Sequence, residues 1–283
     1  MEQRDGAWFD AMYNNRGRVP EHPGILARWV ADSAKARLDG PCELDIAYGT
    51  DPGERLDVFP APNGDAPVLV FVHGGYWRAL DKSDHSFVAP AFTRDGACVV
   101  VPNYALAPAV TIPQITLQIA RSVAWTWHNV QRFGGDRRRI VVVGHSAGGQ
   151  LAGMMLSCLW PQLDPSLPRD TVCGALAISA LNDLDAIMRT PHLQASLQLD
   201  PDQVQRASPA RLPAPRHGTL YSVAGELESP EYHRQNRLLQ DAWGARRVPV
   251  CELVPGRNHF SVLDALVEPN HRVHQLALDL LRA

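Results

Sequence analysis

The segment from Ile140 to Leu156 constrains the fold of this chain more than any other stretch. Four β-branched residues run into Gly144-His-Ser146-Ala-Gly148, and a helix-forming run from Gln150 follows at once. A strand, a tight turn and a helix with a serine at the apex are the context of a G-x-S-x-G nucleophile elbow. The glycines allow a close backbone approach that a Cβ atom would block. The N–H groups at the start of the helix favour negative charge beside the serine.

A second interpretation of the same segment is a glycine-rich turn that cradles a phosphate or only packs closely. No Lys-Ser/Thr pair follows, as it would in a P-loop, and the glycine spacing is not G-x-G-x-x-G. The sequence therefore favours the nucleophile elbow, with Ser146 as the candidate nucleophile.

Continuous apolar runs, typical of strands buried on both faces of a parallel sheet, recur along the chain. They are Val68–Val72, Ala97–Val101, Ile140–Val143, Ala175–Ile178, Thr219–Val223 and Val250–Val254. Helical patterns occupy residues 24–38, 83–94, 112–133, 150–159, 231–243 and 270–281. Two alternating runs at residues 43–48 and 54–59 resemble a hairpin that supplies an antiparallel edge. The pattern predicts an α/β fold with a doubly wound, mostly parallel eight-stranded sheet and helices on both faces.

The chain shows no repeat and no linker long enough to separate two domains. We therefore predict one domain over residues 1–283, with an N-terminal helical segment over the active site at residues 1–40. Residues 182–215 lack a strand and are rich in Pro, Gln and Ser, so we predict a small cap inserted above the sheet.

Composition excludes several classes of partner. The formal net charge is −3, and the densest basic cluster, Arg137 to Arg139, is expected in a solvated turn, so we predict no nucleic-acid binding. No apolar run has the length of a signal peptide or a membrane span, and the five cysteines are scattered. We expect a cytoplasmic protein with reduced cysteines and no membrane partner. The oligomeric state is open, with a homodimer as one option.

Ligands of such sheets bind at the carboxyl ends of the strands. Gly74 and Gly75 follow the Val68–Val72 run, and their N–H groups, with that of Ala147, are candidates for an oxyanion hole. Ser146, an acidic residue and His259 follow later strands, in the chain order of the α/β-hydrolases. A serine hydroxyl needs a base within hydrogen-bond reach, and a carboxylate to orient that base.

Three glutamates compete for the acid position after the Thr219–Val223 run. Glu226 follows Gly225 too closely to project into the turn, and Glu231 is expected in the first turn of the next helix, where the dipole favours it. Glu228 is therefore our prediction, with Ser146 and His259 as the other catalytic residues.

Four segments resemble the kynurenine formamidase (arylformamidase) branch of the α/β-hydrolases, which is related to the hormone-sensitive-lipase-like esterases. They are His73-Gly-Gly-Tyr-Trp77, Gly144-His-Ser-Ala-Gly-Gly149, Glu228-Ser-Pro-Glu-Tyr-His-Arg-Gln235 and Asn258-His-Phe260. One departure is Glu228, where Asp is commoner. The resemblance implies hydrolysis of an N-formyl aryl amide such as N-formylkynurenine, a step of tryptophan catabolism, together with esterase activity.

The pocket residues have competing interpretations. Tyr76 and Trp77 could stack on an aryl group, or Trp77 could pack under the loop. Asn182 could hydrogen-bond the substrate. The Ser179-Ala180 pair could wall the acyl side, and His73 is either a second base or a holder of its loop through a backbone hydrogen bond. Aromatic residues Trp8, Phe9 and Tyr13 form a lid or simply pack. No histidine spacing indicates a metal site, and no cofactor is expected.

Three functions remain open at this point. The first is arylformamidase activity on a small aryl amide, and the second is a general carboxylesterase on short-chain or aryl esters, which uses the same acyl-enzyme. The third is a hydrolase-fold binding protein without turnover. Such proteins typically lose the serine or the histidine, whereas Ser146 and His259 both stand here.

Overall fold

In the computed structural model, which describes residues 4–283, eight strands form one sheet. The strands are β1 (Glu43–Ala47), β2 (Arg55–Phe59), β3 (Ala66–Val72), β4 (Cys98–Pro102), β5 (Gly135–His145), β6 (Gly174–Ile178), β7 (Thr219–Gly225) and β8 (Val250–Val254). Their order is β1-β2-β4-β3-β5-β6-β7-β8. Strand β2 pairs antiparallel with β1 and β4, and all other pairs are parallel. The predicted sheet, with its antiparallel edge, is confirmed.

The helices lie on both faces of this sheet. They are α1 (Gly6–Tyr13), α2 (Asn15–Arg18), α3 (His22–Asp39), α4 (Ala89–Arg94), α5 (Ile112–Asn129), α6 (Ala147–Ser157), α7 (Trp160–Leu163), α8 (Asp185–Met188), α9 (Pro191–Leu197), α10 (Pro201–Ala207), α11 (Pro230–Trp243), α12 (Ser261–Val267) and α13 (Arg272–Arg282). No helix within residues 4–283 is long and apolar enough to cross a membrane.

The central strands are buried on both sides, which explains their unbroken apolar runs. Val68, Val70 and Val72 of β3 point into one hydrophobic cluster, which helices α5, α6 and α11 help to form. Leu69 and Phe71 point into the other cluster, which α3, α4, α12 and α13 help to form. Successive side chains of a strand face opposite ways, so both faces must be apolar when helices cover both.

Most of the predicted helices differ from the structure only at their ends, by up to four residues, and one differs over most of its length. The prediction of one helix over residues 83–94 is mostly wrong. Two short 3₁₀ turns occupy Lys82–Asp84 and Ser86–Val88, and only Ala89–Arg94 is α-helical. The Asp81 side chain accepts from Ser83 N at 2.9 Å and closes the first turn early. Helix α3, predicted to begin at residue 24, begins at His22 instead. Pro23 fits its first turn, where no backbone N–H is needed.

Residues 182–215 contain the short helices α8, α9 and α10 and a 3₁₀ turn at Pro209–Arg211. Helices α8 and α9 pack against α1, and α10 packs against α5. The predicted insertion thus lies between the N-terminal segment and the sheet domain's helices. Its role as a cap stays a prediction, and so does the assignment of residues 1–283 to one domain.

Candidate active site

The turn between β5 and α6 places Ser146 in a backbone conformation that few residues adopt. Its φ is +58° and its ψ is −119°, a sparsely populated region that costs on the order of 1–3 kcal/mol. Neighbouring glycines make the turn possible. A Cβ on Gly144 would lie 2.0 Å from Gly148 O, and one on Gly148 would lie 2.0 Å from Val72 O. The G-x-S-x-G spacing is therefore required by backbone contact within the elbow and with β3.

A chain of hydrogen bonds joins Ser146, His259 and Glu228. The distance from His259 Nε2 to Ser146 Oγ is 3.1 Å, and from His259 Nδ1 to Glu228 Oε2 it is 2.7 Å. The other carboxylate oxygen of Glu228 accepts from Gly225 N at 2.6 Å and from Ser179 Oγ at 2.5 Å. Nδ1–H donates to the carboxylate, which leaves Nε2 free to accept the serine proton.

The two competing glutamates bind elsewhere. Glu226 Oε2 accepts from Gly256 N at 2.9 Å, and Glu231 accepts from Tyr13 Oη at 2.9 Å and pairs with Arg234 at 2.7 Å. Of the three candidates, Glu228 is the one that contacts His259. The sequence argument from the turn and the helix start selected the same residue.

The candidate oxyanion hole is assembled from two strand ends. A Cβ on Gly74 would lie 3.0 Å from Ser146 Cβ, so the loop after β3 lies directly against the elbow. Gly75 has φ +104°, and a Cβ there would lie 2.0 Å from Ala79 O. Ala147 is the first residue of α6, where an N–H has no acceptor within the helix. The oxyanion role of Gly74, Gly75 and Ala147 stays a prediction.

His73 holds this loop in place. Its Nδ1 lies 2.8 Å from Gly74 O, and its Nε2 lies 3.0 Å from Asn103 Oδ1. The Tyr104 ring stacks on the imidazole at 4.3 Å, and its hydroxyl donates to His73 O. Complete burial lowers the pKa of His73, so the ring stays neutral at pH 7. These contacts agree with the loop-holding interpretation rather than with a second base.

A cavity of about 380 Å³ opens at Ser146 and His259. Its lining includes four aromatic residues, Tyr13, Trp29, Tyr76 and Phe260, together with the aliphatic Leu26, Ala79 and Leu80. Tyr13 and Trp29 belong to α1 and α3, so the N-terminal segment supplies part of this lining. Trp8 and Phe9 of the predicted lid do not line the cavity. Phe9 is buried in the hydrophobic cluster, and Trp8 packs against that cluster.

Three expectations for pocket residues are wrong. Trp77 is fully buried, and its Nε1 donates to Gln150 Oε1 at 3.0 Å. Tyr76 and Trp77 both have positive φ, and their side chains point in different directions. Of the two, Tyr76 lines the cavity. Asn182 is also fully buried and does not line the cavity, and its Nδ2 donates to Gln235 O of α11. Ser179 supports Glu228 and does not wall the acyl side.

Among the side chains at the site that were not singled out from the sequence are Asn15 and Tyr232, which bind each other. Asn15 Nδ2 donates to Tyr232 Oη at 2.8 Å and to Tyr76 Oη at 3.1 Å, and the two hydroxyls lie 2.7 Å apart. The Tyr232 ring lies 4.7 Å from that of His259, and its burial raises the pKa of the phenol. Tyr232 follows Glu228 by four residues, so its motif carried a usable signal. Asn15 is far from every motif and gave none.

Comparison with known proteins places these features in context. A family model described as the alpha/beta hydrolase fold matches residues 69–222. The chain is similar to kynurenine formamidase of Danio rerio, with 30% identity over 246 residues that cover 84% of this chain and 81% of the relative. It is also similar to esterase LipC of Mycobacterium tuberculosis, with 36% identity over 128 residues, 44% of this chain and 32% of the esterase.

Among solved structures, a provisionally assigned thioesterase from Silicibacter sp. TM1040 matches with a TM-score of 0.84 and 28% identity. The match covers 97% of this chain and 99% of that chain. An esterase from Pyrobaculum calidifontis shares the fold, with a TM-score of 0.69, 20% identity and coverage of 92% and 93%. These similarities confirm the predicted fold class and the resemblance seen in the motifs.

Proposed function

Because this chain belongs to the α/β-hydrolase family, whose formamidase and esterase members it resembles, we propose that it is a serine hydrolase acting through an acyl-enzyme. The observation that carries this proposal is the hydrogen-bonded series Ser146–His259–Glu228, buried at the carboxyl ends of β5, β7 and β8. A binding protein without turnover would have no use for a strained serine beside a correctly oriented base.

The arrangement supports two chemical steps. In the first, Ser146 Oγ bonds to the substrate carbonyl carbon while His259 Nε2 takes its proton, and N–H groups of Gly74, Gly75 and Ala147 stabilise the oxyanion. The C–N or C–O bond then breaks, and His259 gives the proton to the leaving group. In the second step, water attacks the acyl-enzyme with His259 as base, which releases the acid and restores the serine.

We propose arylformamidase activity as the leading function, with N-formylkynurenine hydrolysed to kynurenine and formate. This would place the chain in tryptophan catabolism. Support comes from the similarity to the Danio rerio kynurenine formamidase over most of both chains. It also comes from the aromatic wall of Trp29, Tyr76 and Phe260, which offers stacking surfaces to an aryl group.

The second candidate is a carboxylesterase on short-chain or aryl esters. The similarity to esterase LipC favours it, and amide and ester hydrolysis pass through the same acyl-enzyme. The two functions differ in which leaving group the pocket accepts, and that difference is measurable.

Turnover of N-formyl-L-kynurenine beside p-nitrophenyl acetate and butyrate separates the two candidates. The arylformamidase proposal predicts that kcat/KM for the formyl amide exceeds that for either ester by about a hundredfold, which is about 2.7 kcal/mol of differential transition-state binding. Ser146→Ala serves as the blank for each substrate. Faster ester turnover with a slow amide would make the chain an esterase and leave the triad assignment intact.

A further inference from the structure

The cavity at Ser146 is lined by two arginines, Arg16 and Arg78. No aspartate or glutamate of the described residues, 4–283, lines it. The chain as a whole has a formal net charge of −3, so this positive lining is local and opposes the overall charge.

No carboxylate in the described part of the chain neutralises the guanidinium group of Arg16 or of Arg78. Within residues 4–283, no aspartate or glutamate oxygen lies within 4.0 Å of either group. The acids nearest to the two arginines in the chain bind elsewhere: Asp81 accepts from Ser83 N at 2.9 Å and from Asn103 Nδ2 at 2.7 Å, and Glu21 accepts from Asn258 Nδ2 at 3.3 Å. Both cations are therefore available to a ligand in the cavity.

Arg78 is held in a fixed position, as a binding residue requires. Its Nη1 donates to His192 O at 2.8 Å and to Ser196 Oγ at 2.9 Å, and the residue is half-buried. Arg78 follows Gly75 of the candidate oxyanion hole by three positions, on the same loop. Arg16 is exposed on α2 across the same cavity, directly after Asn15, which binds Tyr76 and Tyr232.

N-formylkynurenine, the substrate proposed above, carries a carboxylate on its leaving group. From the cavity lining we infer that Arg78 and Arg16 determine specificity for such an anionic leaving group, by binding its carboxylate while the scissile carbonyl meets Ser146. The inference rests on the proposed function, because a formyl group bears only hydrogen on the acyl side. Any anionic group of such a substrate must belong to the part that leaves. Guanidinium groups bind carboxylates through paired, charge-assisted hydrogen bonds, and a partly buried cation is screened less than an exposed one.

A pair of formanilides that differ only in charge tests this assignment. We would compare 3-(4-formamidophenyl)propanoate with its primary amide, because the two methylene groups between the ring and the carboxylate keep the charge from altering the anilide. The wild-type enzyme is expected to favour the anion by about tenfold in kcat/KM, the size of one partly screened ion pair. The ratio is expected to fall toward one in the double variant Arg16→Gln/Arg78→Gln, and to persist in Arg18→Gln, an exposed arginine of the same helix outside the cavity.

Equal kcat/KM for both formanilides in the wild-type enzyme, or an unchanged ratio in the double variant, would overturn the inference. If neither compound is hydrolysed, the proposed function fails separately, and the same pair is then measured as ligands. Quenching of tryptophan fluorescence, to which Trp29 in the cavity wall contributes, gives both dissociation constants. Tighter binding of the anion, lost in the double variant, would still support the arginine site, whereas equal dissociation constants would refute it.

Discussion

The nucleophile elbow and the N-terminal segment contribute to the same cavity in opposite ways. The elbow is a short continuous stretch in which strand, turn, serine and helix follow one another. Gly144 is required by a contact within the elbow, and Gly148 by its contact with Val72 of β3. The N-terminal segment has no catalytic motif. It reaches the cavity only because helices α1 to α3 fold back across the sheet and bring Tyr13, Asn15 and Trp29 beside Ser146.

The difference shows which part of an enzyme a local pattern can encode. Reaction chemistry needs a few groups at exact spacing, and parallel strands deliver them to one edge of the sheet. The pocket needs surfaces from any part of the chain that can reach the opening. We therefore expect changes at the elbow to abolish turnover, and changes in the N-terminal contacts to alter its rate by smaller factors.

The largest effect is expected from Ser146→Ala. Without the nucleophile no acyl-enzyme forms, and kcat/KM should fall by about 10⁵-fold on amide and ester alike. Ser157→Ala, at the far end of the same helix, is the matched control and should keep wild-type turnover. Steady-state kinetics with both substrates checks this, and residual activity within tenfold of wild type would refute the elbow as the reaction centre.

Glu228→Gln is expected to lower kcat by about 10⁴-fold, because an amide facing His259 Nδ1 favours the wrong tautomer. Glu226→Gln makes the same change on a carboxylate that binds Gly256 N, and it should lose little activity. The two kcat values, measured side by side, decide between the candidates. Equal losses, or a larger loss at Glu226, would contradict the assigned acid.

A buried histidine beside the N-terminal segment, His85, should lower the free energy of unfolding in acid. His85 lies 5.7 Å from the Trp29 ring of α3 and 5.5 Å from His73, and burial lowers its pKa to about 3. The unfolded chain takes up a proton at this residue below pH 6.5 and the folded chain does not, so the free energy of unfolding falls as pH falls. Between pH 7.5 and 5.0 this one group should cost about 2 kcal/mol.

Urea unfolding at both pH values measures this loss. His85→Phe should lose about 2 kcal/mol less than wild type over the same interval, since the substituted ring binds no proton. His217→Phe, at an exposed position, should keep the wild-type difference. An unchanged pH dependence in His85→Phe would show that His85 does not remain neutral in the folded protein.

The smallest effect is expected at the contact between the N-terminal segment and the triad. Tyr232→Phe removes the hydroxyl that accepts from Asn15 and lies 2.7 Å from Tyr76 Oη. The loss of such hydrogen bonds is worth about 1–1.5 kcal/mol, so kcat/KM should fall by about tenfold. Tyr221→Phe in β7, away from the cavity, should change nothing. Unaltered kinetics in Tyr232→Phe would mean that this contact only fills space.

The sheet was predictable because each buried strand carries its own apolar run and each turn its own breakers. The 3₁₀ turns at Lys82–Asp84 and Ser86–Val88 were not, because a helical pattern there competes with the side-chain cap of Asp81, which takes effect only in the folded loop. Local propensity is a weak prior wherever such capping or tertiary contacts decide.

The same limit applied at the site. Glu228 could be chosen from its spacing to Gly225, since the turn that presents it is local. The two interpretations of Trp77 could not be separated, because sequence order does not show that the side chains of Tyr76 and Trp77, which both have positive φ, point in different directions. Asn15 was missed because its partners, Tyr76 and Tyr232, are distant in the chain and meet it only through the fold.

Covalent labelling of the serine tests the central claim most directly. A fluorophosphonate probe should modify the wild-type chain once, with the added mass on the peptide that contains Ser146, and should leave Ser146→Ala unlabelled. Hydrolysis of N-formyl-L-kynurenine should disappear in step with the labelling. An unlabelled wild-type chain, or a label on another serine with Ser146→Ala still active, would contradict the proposal that the strained serine of this elbow is the nucleophile.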